Sequence, residues 1–157
     1  VLLPLLLGYV RSILPVPLSR YIRAPGASPL IDAAAGAGTG GLIALVLAGA
    51  SGAGGLGSLD PAVRVFYAVV SISLGPFIEE LFFRLLLFLL PGERYGYGPM
   101  AVVSSLAFTL AHLPDTPLLF AGYFVCGMAL ALLARARGGI LAPFLAHGLA
   151  NLLLLVL

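Results

Sequence analysis

Three charged residues interrupt an apolar stretch that extends from about Phe66 to Leu90, namely Glu79, Glu80 and Arg84. A charged side chain near the centre of a bilayer costs about 2.5–3.5 kcal/mol, so these residues indicate either a functional site or a paired structure. Glu80 and Arg84 are four residues apart and share one helical face, whereas Glu79 lies about 100° from Glu80 around the helix. The spacing predicts one carboxylate paired with arginine and one free for chemistry. The alternative is an ion-pair cluster that only holds helices together.

Two histidines and an asparagine interrupt later apolar stretches. His112 follows Phe108 by four residues, and His147 and Asn151 are also four residues apart, which places each pair on one helical face. A lone histidine in a helix is more often a packing residue than a functional one. Each of these side chains would nevertheless be costly if it faced lipid. We therefore expect them to face the interior of a helix bundle and to converge there with the charged residues.

The composition is that of an integral membrane protein. Of the 157 residues, 61% are hydrophobic and 9% are charged, and the mean hydropathy is +1.15. A soluble domain of this size has too little interior to bury so many apolar side chains, and the alternating pattern of a membrane β-barrel is absent. The lipid bilayer is therefore the expected surrounding. The formal charge of +2 argues against a nucleic-acid partner, and a single cysteine, Cys126, excludes an internal disulfide.

The apolar stretches predict one all-α domain over residues 1–157, a polytopic bundle of about six transmembrane helices of ~20 residues each. A Gly/Ser/Ala linker is expected at residues 49–58. Gly75-Pro76 predicts a kink just ahead of Glu79, and the Gly36-x-x-x-Gly40 spacing predicts close helix packing. The predicted segments are residues 1–13, 30–50, 61–90, 99–113, 116–134 and 140–157.

Arginine placement predicts the orientation in the membrane. Arginines occupy the loops after the first, third and fifth segments, at Arg11, Arg20, Arg23, Arg94, Arg135 and Arg137. By the positive-inside rule these loops are cytoplasmic. Glu79 then lies near the middle of the bilayer, and the polar cluster is expected to open toward the outer half of the membrane. Since all eight Lys or Arg positions are arginine and Ala and Gly are abundant, we expect the cytoplasmic membrane of a prokaryote.

The polar residues together resemble the three-motif signature of a known family. The motifs are Glu79-Glu80-x-x-x-Arg84, Phe108-x-x-x-His112 and His147-x-x-x-Asn151, each in its own apolar segment. In this order they resemble those of the CPBP intramembrane proteases, which include the type II CAAX prenyl endopeptidases and bacteriocin-processing or self-immunity proteins. The resemblance covers about residues 61–157 and implies that this part of the chain is the catalytic core of a protease.

The resemblance also implies a role for each motif residue. Glu79 would be the general base that activates water, and His112 would position that water or polarise the scissile carbonyl. His147 and Asn151 would complete the water site and stabilise the oxyanion. The supporting residues would be Glu80, Arg84 and Phe108.

The residues leave two forms of the mechanism, one with a bound metal and one without. Glu79, His112 and His147 together are the ligand set of many catalytic zinc sites. The helical HExxH spacing is absent, so such ligands would come from three separate helices. A Glu79 that ligates metal would also not be free to act as a base. We therefore expect a glutamate mechanism that requires no cofactor, with zinc as the alternative.

The expected substrate is a membrane-anchored protein or peptide cut near its membrane-embedded C-terminal part. A CAAX endopeptidase of the resembled family cuts behind a prenylated cysteine, whereas other members resemble sorting enzymes that trim C-terminal anchors of exported proteins. The alternative from another class is a non-catalytic membrane protein, such as a proton-coupled carrier or a bacteriocin immunity factor, because buried Glu, His and Arg also build proton relays. The repeated halves that are common in carriers are not visible in the sequence.

Overall fold

The computed structural model of the chain describes residues 17–50 and 60–156, together with the isolated positions 8 and 14. The first predicted segment, residues 1–13, lies outside the described residues apart from position 8. The predicted linker lies outside them from residue 51 onward. Within the described residues every regular element is helical and no strand is present. The predicted all-α class is therefore confirmed.

Six helices follow one another along the described part of the chain. The four-residue α1 was not predicted, and the other five correspond to predicted segments. By length and composition, α2 and α5 can each cross a membrane, whereas α4 and α6 are shorter apolar helices, so the count of six transmembrane helices is not confirmed. The bounds are Ser19–Ile22 (α1), Pro29–Ala50 (α2), residues 61–95 (α3), Tyr97–Ala111 (α4), Pro117–Arg137 (α5) and Leu141–Val156 (α6).

Helix α3 extends beyond its predicted end at Leu90. Pro91 does not stop the helix, because it stands in the first turn of a terminal helical piece, where a missing backbone N–H is tolerated. The helix ends instead at Gly96, whose φ of 89° is a conformation that glycine adopts readily. The extension brings the end of α3 directly against the start of α4.

Helix α3 alternates between α-helical and π-helical geometry. The backbone N–H of Gly75 bonds to the carbonyl of Val70, five residues back, and the adjacent Pro76 has no N–H to donate. Where the sequence predicted a kink, the helix therefore changes its hydrogen-bond register, a feature that is frequent at functional sites. The successive pieces are Pro61–Val69 (α), Val70–Leu74 (π), Gly75–Glu79 (α), Glu80–Leu89 (π) and Leu90–Tyr95 (α).

The change of register leaves the carbonyl of Ser71 without a donor from its own helix. In an α-helix this carbonyl would accept from the N–H of Gly75, which bonds to Val70 instead. In a π-helix it would accept from residue 76, which is a proline and has no N–H. The side-chain amide of Asn151 on α6 donates to this carbonyl at 2.8 Å. Gly148 allows α6 to come this near, because a Cβ added there would lie 2.5 Å from the carbonyl oxygen of Ile72. The proline on α3 thus creates an acceptor that fixes α6 beside it.

Helices α2 and α6 pack through glycines. A Cβ added at Gly40 would lie 2.5 Å from the carbonyl oxygen of Ala146, and one added at Gly36 would lie 3.0 Å from the Cβ of Leu145. Any larger residue at either position would push the two helices apart. The close packing predicted from the Gly36-x-x-x-Gly40 spacing is therefore confirmed.

The described arginine-bearing segments lie together at one end of the bundle, and most of their arginines lie in helix ends rather than in the predicted loops. Residues 19–24, 93–97 and 135–140 form this end, which we call the arginine-rich end. The backbone N–H of Ile140 donates to the carbonyl of Tyr21 at 2.9 Å. The guanidinium carbon of Arg135 lies 3.7 Å from the centre of the Tyr97 ring, within cation–π distance. These contacts join three segments that are distant in sequence.

A buried ion pair ties α2 to α5 at the same end. The Oδ1 atom of Asp32 lies 2.6 Å from the Nε atom of Arg137, and the Asp32 side chain is almost completely buried. Sequence reasoning did not single out Asp32, because nothing in its spacing indicated a partner more than a hundred residues away. The pair places the beginning of α2 and the end of α5 at one level.

The orientation of this bundle in the membrane is testable with single cysteines. Asp115 and Ala136 are both exposed and lie near the two ends of α5. In a Cys126→Ala background, we expect Asp115→Cys to react with a membrane-impermeant thiol reagent on intact cells, because the positive-inside rule predicts that the arginine-rich end faces the cytoplasm. Ala136→Cys should react only after the cells are opened. The reverse pattern would invert the orientation.

Candidate active site

Three helices bring Glu79, His112 and His147 together. Glu79 ends the α-helical piece of α3 that contains Pro76, His112 is the C-cap of α4, and His147 lies in the second turn of α6. The Oε2 atom of Glu79 is 3.6 Å from the Nε2 atom of His112 and 3.9 Å from the Nε2 atom of His147. Residues from three separate sequence motifs thus meet at one carboxylate oxygen.

The second nitrogen of each imidazole is held by an acceptor. The Nδ1 atom of His112 lies 2.8 Å from the carbonyl oxygen of Phe108, and the Nδ1 atom of His147 lies 2.9 Å from the Oε1 atom of Glu80. A carbonyl oxygen accepts hydrogen bonds but cannot donate them, and the same holds for an ionised carboxylate. Both Nδ1 atoms therefore carry the hydrogen. Each Nε2 atom then faces Glu79.

The two adjacent glutamates have different surroundings, as their helical positions predicted. Glu80 is fully buried, and its Oε2 atom lies 3.3 Å from the Nε atom of Arg84, which is also fully buried. The side chain of Glu79 is 33% exposed. The predicted ion pair between Glu80 and Arg84 is therefore present, and Glu79 is the carboxylate that faces open space.

The aromatic ring of Phe108 contacts the charged and the imidazole groups alike. The guanidinium carbon of Arg84 lies 4.6 Å from the centre of this ring, a distance typical of a cation–π contact. The ring centroids of His112 and His147 lie 4.3 and 5.7 Å from that of Phe108. Among the described residues the guanidinium nitrogens of Arg84 make no hydrogen bond, so the ring and the Glu80 carboxylate are its main partners.

A cavity of about 360 Å³ opens beside Glu79. His112 and Asn151 also line it, and both polar and apolar side chains form its wall. One N–H of the Asn151 amide is used by the carbonyl of Ser71, which leaves the second amide hydrogen for another acceptor. The remaining lining residues are Tyr67, Val70, Ser71, Gly75, Pro76, Leu154 and Leu155.

The cavity lies toward the end of the bundle opposite the arginine-rich end. It is bounded by Tyr67 near the start of α3, by His112 at the end of α4 and by Leu155 near the end of α6. The arginine-rich end is formed instead by the end of α3, the end of α5 and the start of α6. The access to the site and the arginine-rich end are thus on different sides, and Arg64 in the first turn of α3 is a basic residue on the side of the access.

Sequence reasoning missed several residues around this site. Ser71 and Tyr67 belong to no motif, and neither residue type stands out in an apolar helix. Pro76 did not point to Ser71, because a proline in an α-helix leaves only the carbonyl four residues before it, that of Ile72, without its donor. Ser71 loses its donor only because the N–H of Gly75 bonds to Val70 in the π-helical register. Tyr123, whose ring lies 4.6 Å from that of His112, left no signal either.

Comparison with known proteins identifies the family of the chain. No curated protein matches the sequence, and no solved structure matches it either. A family model described as "Type II CAAX prenyl endopeptidase Rce1-like" matches residues 61–153, which is more than half of the chain and contains all three motifs. Members of this family are integral membrane proteases, and the apolar helices of this chain agree with that setting. The chain therefore belongs to the Rce1-like family of type II CAAX prenyl endopeptidases.

Proposed function

We propose that this chain is an intramembrane endopeptidase that hydrolyses a peptide bond near the membrane-embedded C-terminal part of a protein substrate. Glu79 serves as the general base. The observation that carries the proposal is the convergence of Glu79 Oε2 with the Nε2 atoms of His112 and His147, beside a cavity that Glu79 and His112 line. Membership of a protease family supports the same reaction class.

The hydrogen-bond requirements of this site favour a bound water. Glu79 Oε2 and the two Nε2 atoms are all acceptors when the imidazoles are neutral, and their ligand atoms lie within 4.8 Å of one another. Acceptors so close together need hydrogens between them. If one imidazole carries a second hydrogen, a single water can accept from it and donate to Glu79 and to the other imidazole. His147 suits this role, because its other N–H is bonded to the Glu80 carboxylate.

This arrangement also balances the charges of the buried group. With an imidazolium at His147, the positive charges of His147 and Arg84 equal the negative charges of Glu79 and Glu80. A neutral cluster is the least costly in a low-dielectric interior, where an unpaired charge is strongly unfavourable.

Peptide hydrolysis follows from these positions. Glu79 takes a proton from the water as the water oxygen attacks the carbonyl carbon of the substrate. The negative charge that forms on the carbonyl oxygen accepts a hydrogen bond from the second amide hydrogen of Asn151. It also accepts one from the Nε2–H of His147, which turns from the water oxygen to the carbonyl oxygen as the water attacks. His112 holds the water through its Nε2 atom. Glu79 then passes the proton to the departing nitrogen, so that the C–N bond breaks and the base is regenerated.

The position of the cavity bears on the substrate. Because the site opens away from the arginine-rich end, an orientation with the arginines in the cytoplasm gives access from the outer half of the membrane. That side suits the C-terminal anchor of an exported protein. A farnesylated peptide ending in the CAAX sequence is the second substrate class, which the family description supports. The cytoplasmic membrane of a prokaryote is the location we propose.

A bound zinc ion is the alternative form of this mechanism. The residues fit the metal, because one carboxylate and two imidazoles converge and the second nitrogen of each imidazole is fixed by an acceptor, as is usual for zinc-ligating histidines. Glu79, His112 and His147 would hold the ion, which would supply an activated water. A glutamate base is preferred, since Glu80 is committed to Arg84 and no other carboxylate among the described residues reaches the site to replace Glu79.

The Glu79→Gln variant tests the proposed function. It keeps the size of the side chain but removes the base, so we expect kcat to fall by roughly 10²–10⁴-fold, the usual contribution of general base catalysis. The assay follows cleavage of two probes in proteoliposomes, a farnesylated CAAX peptide and a peptide with a C-terminal transmembrane anchor. Glu93→Gln at the exposed arginine-rich end is the matched control and should retain the parent rate.

Cleavage by Glu79→Gln at the parent rate would contradict the role of Glu79. If the parent cleaves neither probe but conducts protons across the vesicle membrane, the carrier alternative is correct.

Removal of metal separates the two forms of the mechanism. If Glu79 acts on a water that no metal holds, extensive treatment with a chelator should leave the cleavage rate unchanged. The measurement combines the rate after chelation with the zinc content of the pure protein. One zinc per chain, with activity lost on its removal and regained on its return, would replace the glutamate mechanism by the zinc mechanism.

A further inference from the structure

Tyr123 on α5 packs directly against the imidazole of His112. The two ring centroids are 4.6 Å apart, and the planes of the rings are inclined by 31°. Phe108 completes a triangle of rings, with centroids 4.3 Å from His112 and 6.5 Å from Tyr123. Helix α5 contributes no residue to the Glu79 group itself. Tyr123 is thus its link to the site.

The close approach of α5 to α4 explains the position of Tyr123. Gly127 faces Ser105 on α4, where an added Cβ would lie 3.0 Å from the Cα atom of Ser105. Helices α4 and α5 run in opposite directions because only a short connection joins them. Tyr123, one turn before Gly127, therefore lies level with the last turn of α4, where His112 is found.

Tyr123 and Phe108 are the two aromatic neighbours of the His112 ring, and the residues after His112 do not support it. His112 is the C-cap of α4, so no further helical turn follows it. The next residue, Leu113, has a φ of 47° and a side chain that is 84% exposed, so it points into the surroundings rather than against the imidazole. The single hydrogen bond from Nδ1 to the carbonyl of Phe108 fixes one atom of the ring but leaves its tilt free.

We propose that Tyr123 is a positioning residue that holds the His112 imidazole with its Nε2 atom toward Glu79. The aromatic ring of Tyr123 holds the imidazole by packing against it. The hydroxyl plays no part, because it makes no hydrogen bond among the described residues. The catalytic consequence rests on the proposed peptidase function. The orientation of the imidazole does not depend on it, and it can be measured separately.

Activity is the first readout. Tyr123→Leu should lower kcat for cleavage of the farnesylated CAAX peptide or the anchored peptide by roughly threefold to tenfold, the factor that corresponds to the usual strength of one aromatic pair. KM should not change, because Tyr123 does not line the cavity. Tyr123→Phe keeps the ring and should restore the parent kcat. Tyr21→Leu, which removes a half-buried tyrosine at the arginine-rich end, is the matched control.

The second readout is the state of the imidazole. The chain has two histidines, His112 and His147, so a protein with ¹⁵N-labelled histidine gives two imidazole signal sets, which His112→Gln assigns. A ring that is free to tilt should lose the Nδ1 hydrogen bond to Phe108 that selects one tautomer. We therefore expect Tyr123→Leu to shift the His112 nitrogens toward the average of the two tautomers and to leave His147 unchanged, with Tyr123→Phe like the parent.

Unchanged His112 signals in Tyr123→Leu would overturn the proposal, as would equal loss of kcat in Tyr123→Leu and Tyr123→Phe. Absence of peptidase activity in the parent would overturn the proposed function alone, since the imidazole signals still report on Tyr123.

Discussion

The Glu80 carboxylate, held between the Arg84 guanidinium and the His147 imidazole, is the interaction on which the rest of the site depends. Both members of the Glu80–Arg84 pair are fully buried, and burial of either charge alone would be strongly unfavourable. The pair therefore has to form inside the bundle. Once it has formed, Glu80 fixes the hydrogen of His147 on Nδ1 and leaves the Nε2 atom for Glu79. Of the two adjacent carboxylates, Glu80 is thus held in structural contacts, and Glu79 is the one left for the proposed chemistry.

The geometry of α3 makes that separation possible. Pro76 removes a backbone donor and shifts the preceding turn into π-helical register, and the carbonyl of Ser71 that is left over accepts from Asn151 on α6. The same contact brings His147, one turn before Asn151, to the level of Glu79 and Glu80. The changed backbone register of one helix therefore aligns the site residues of another, His147 and Asn151. Helices α4 and α5 complete the site from the other side with His112 and Tyr123.

The sequence predicts the part of this site that follows from charge and helical spacing. Because a charge is so costly among apolar residues, Glu79, Glu80 and Arg84 could be recognised, and the i,i+4 rule separated the paired carboxylate from the free one. Contacts between distant helices carry no such local signal, so the Asp32–Arg137 pair and the Tyr123–His112 contact were missed. The π-helical register was missed too, because the proline predicts an interruption but not its form.

The most direct test of this account is the free energy of unfolding of Arg84→Ala in detergent micelles or bicelles. Without its partner Glu80 would remain as an unpaired buried charge, so we predict a loss of about 3–5 kcal/mol relative to the parent. Arg94→Ala is the control, since Arg94 is exposed at the arginine-rich end and should contribute little. If Arg84→Ala unfolds like the parent, the pair does not organise the site and the division of roles between Glu79 and Glu80 is wrong.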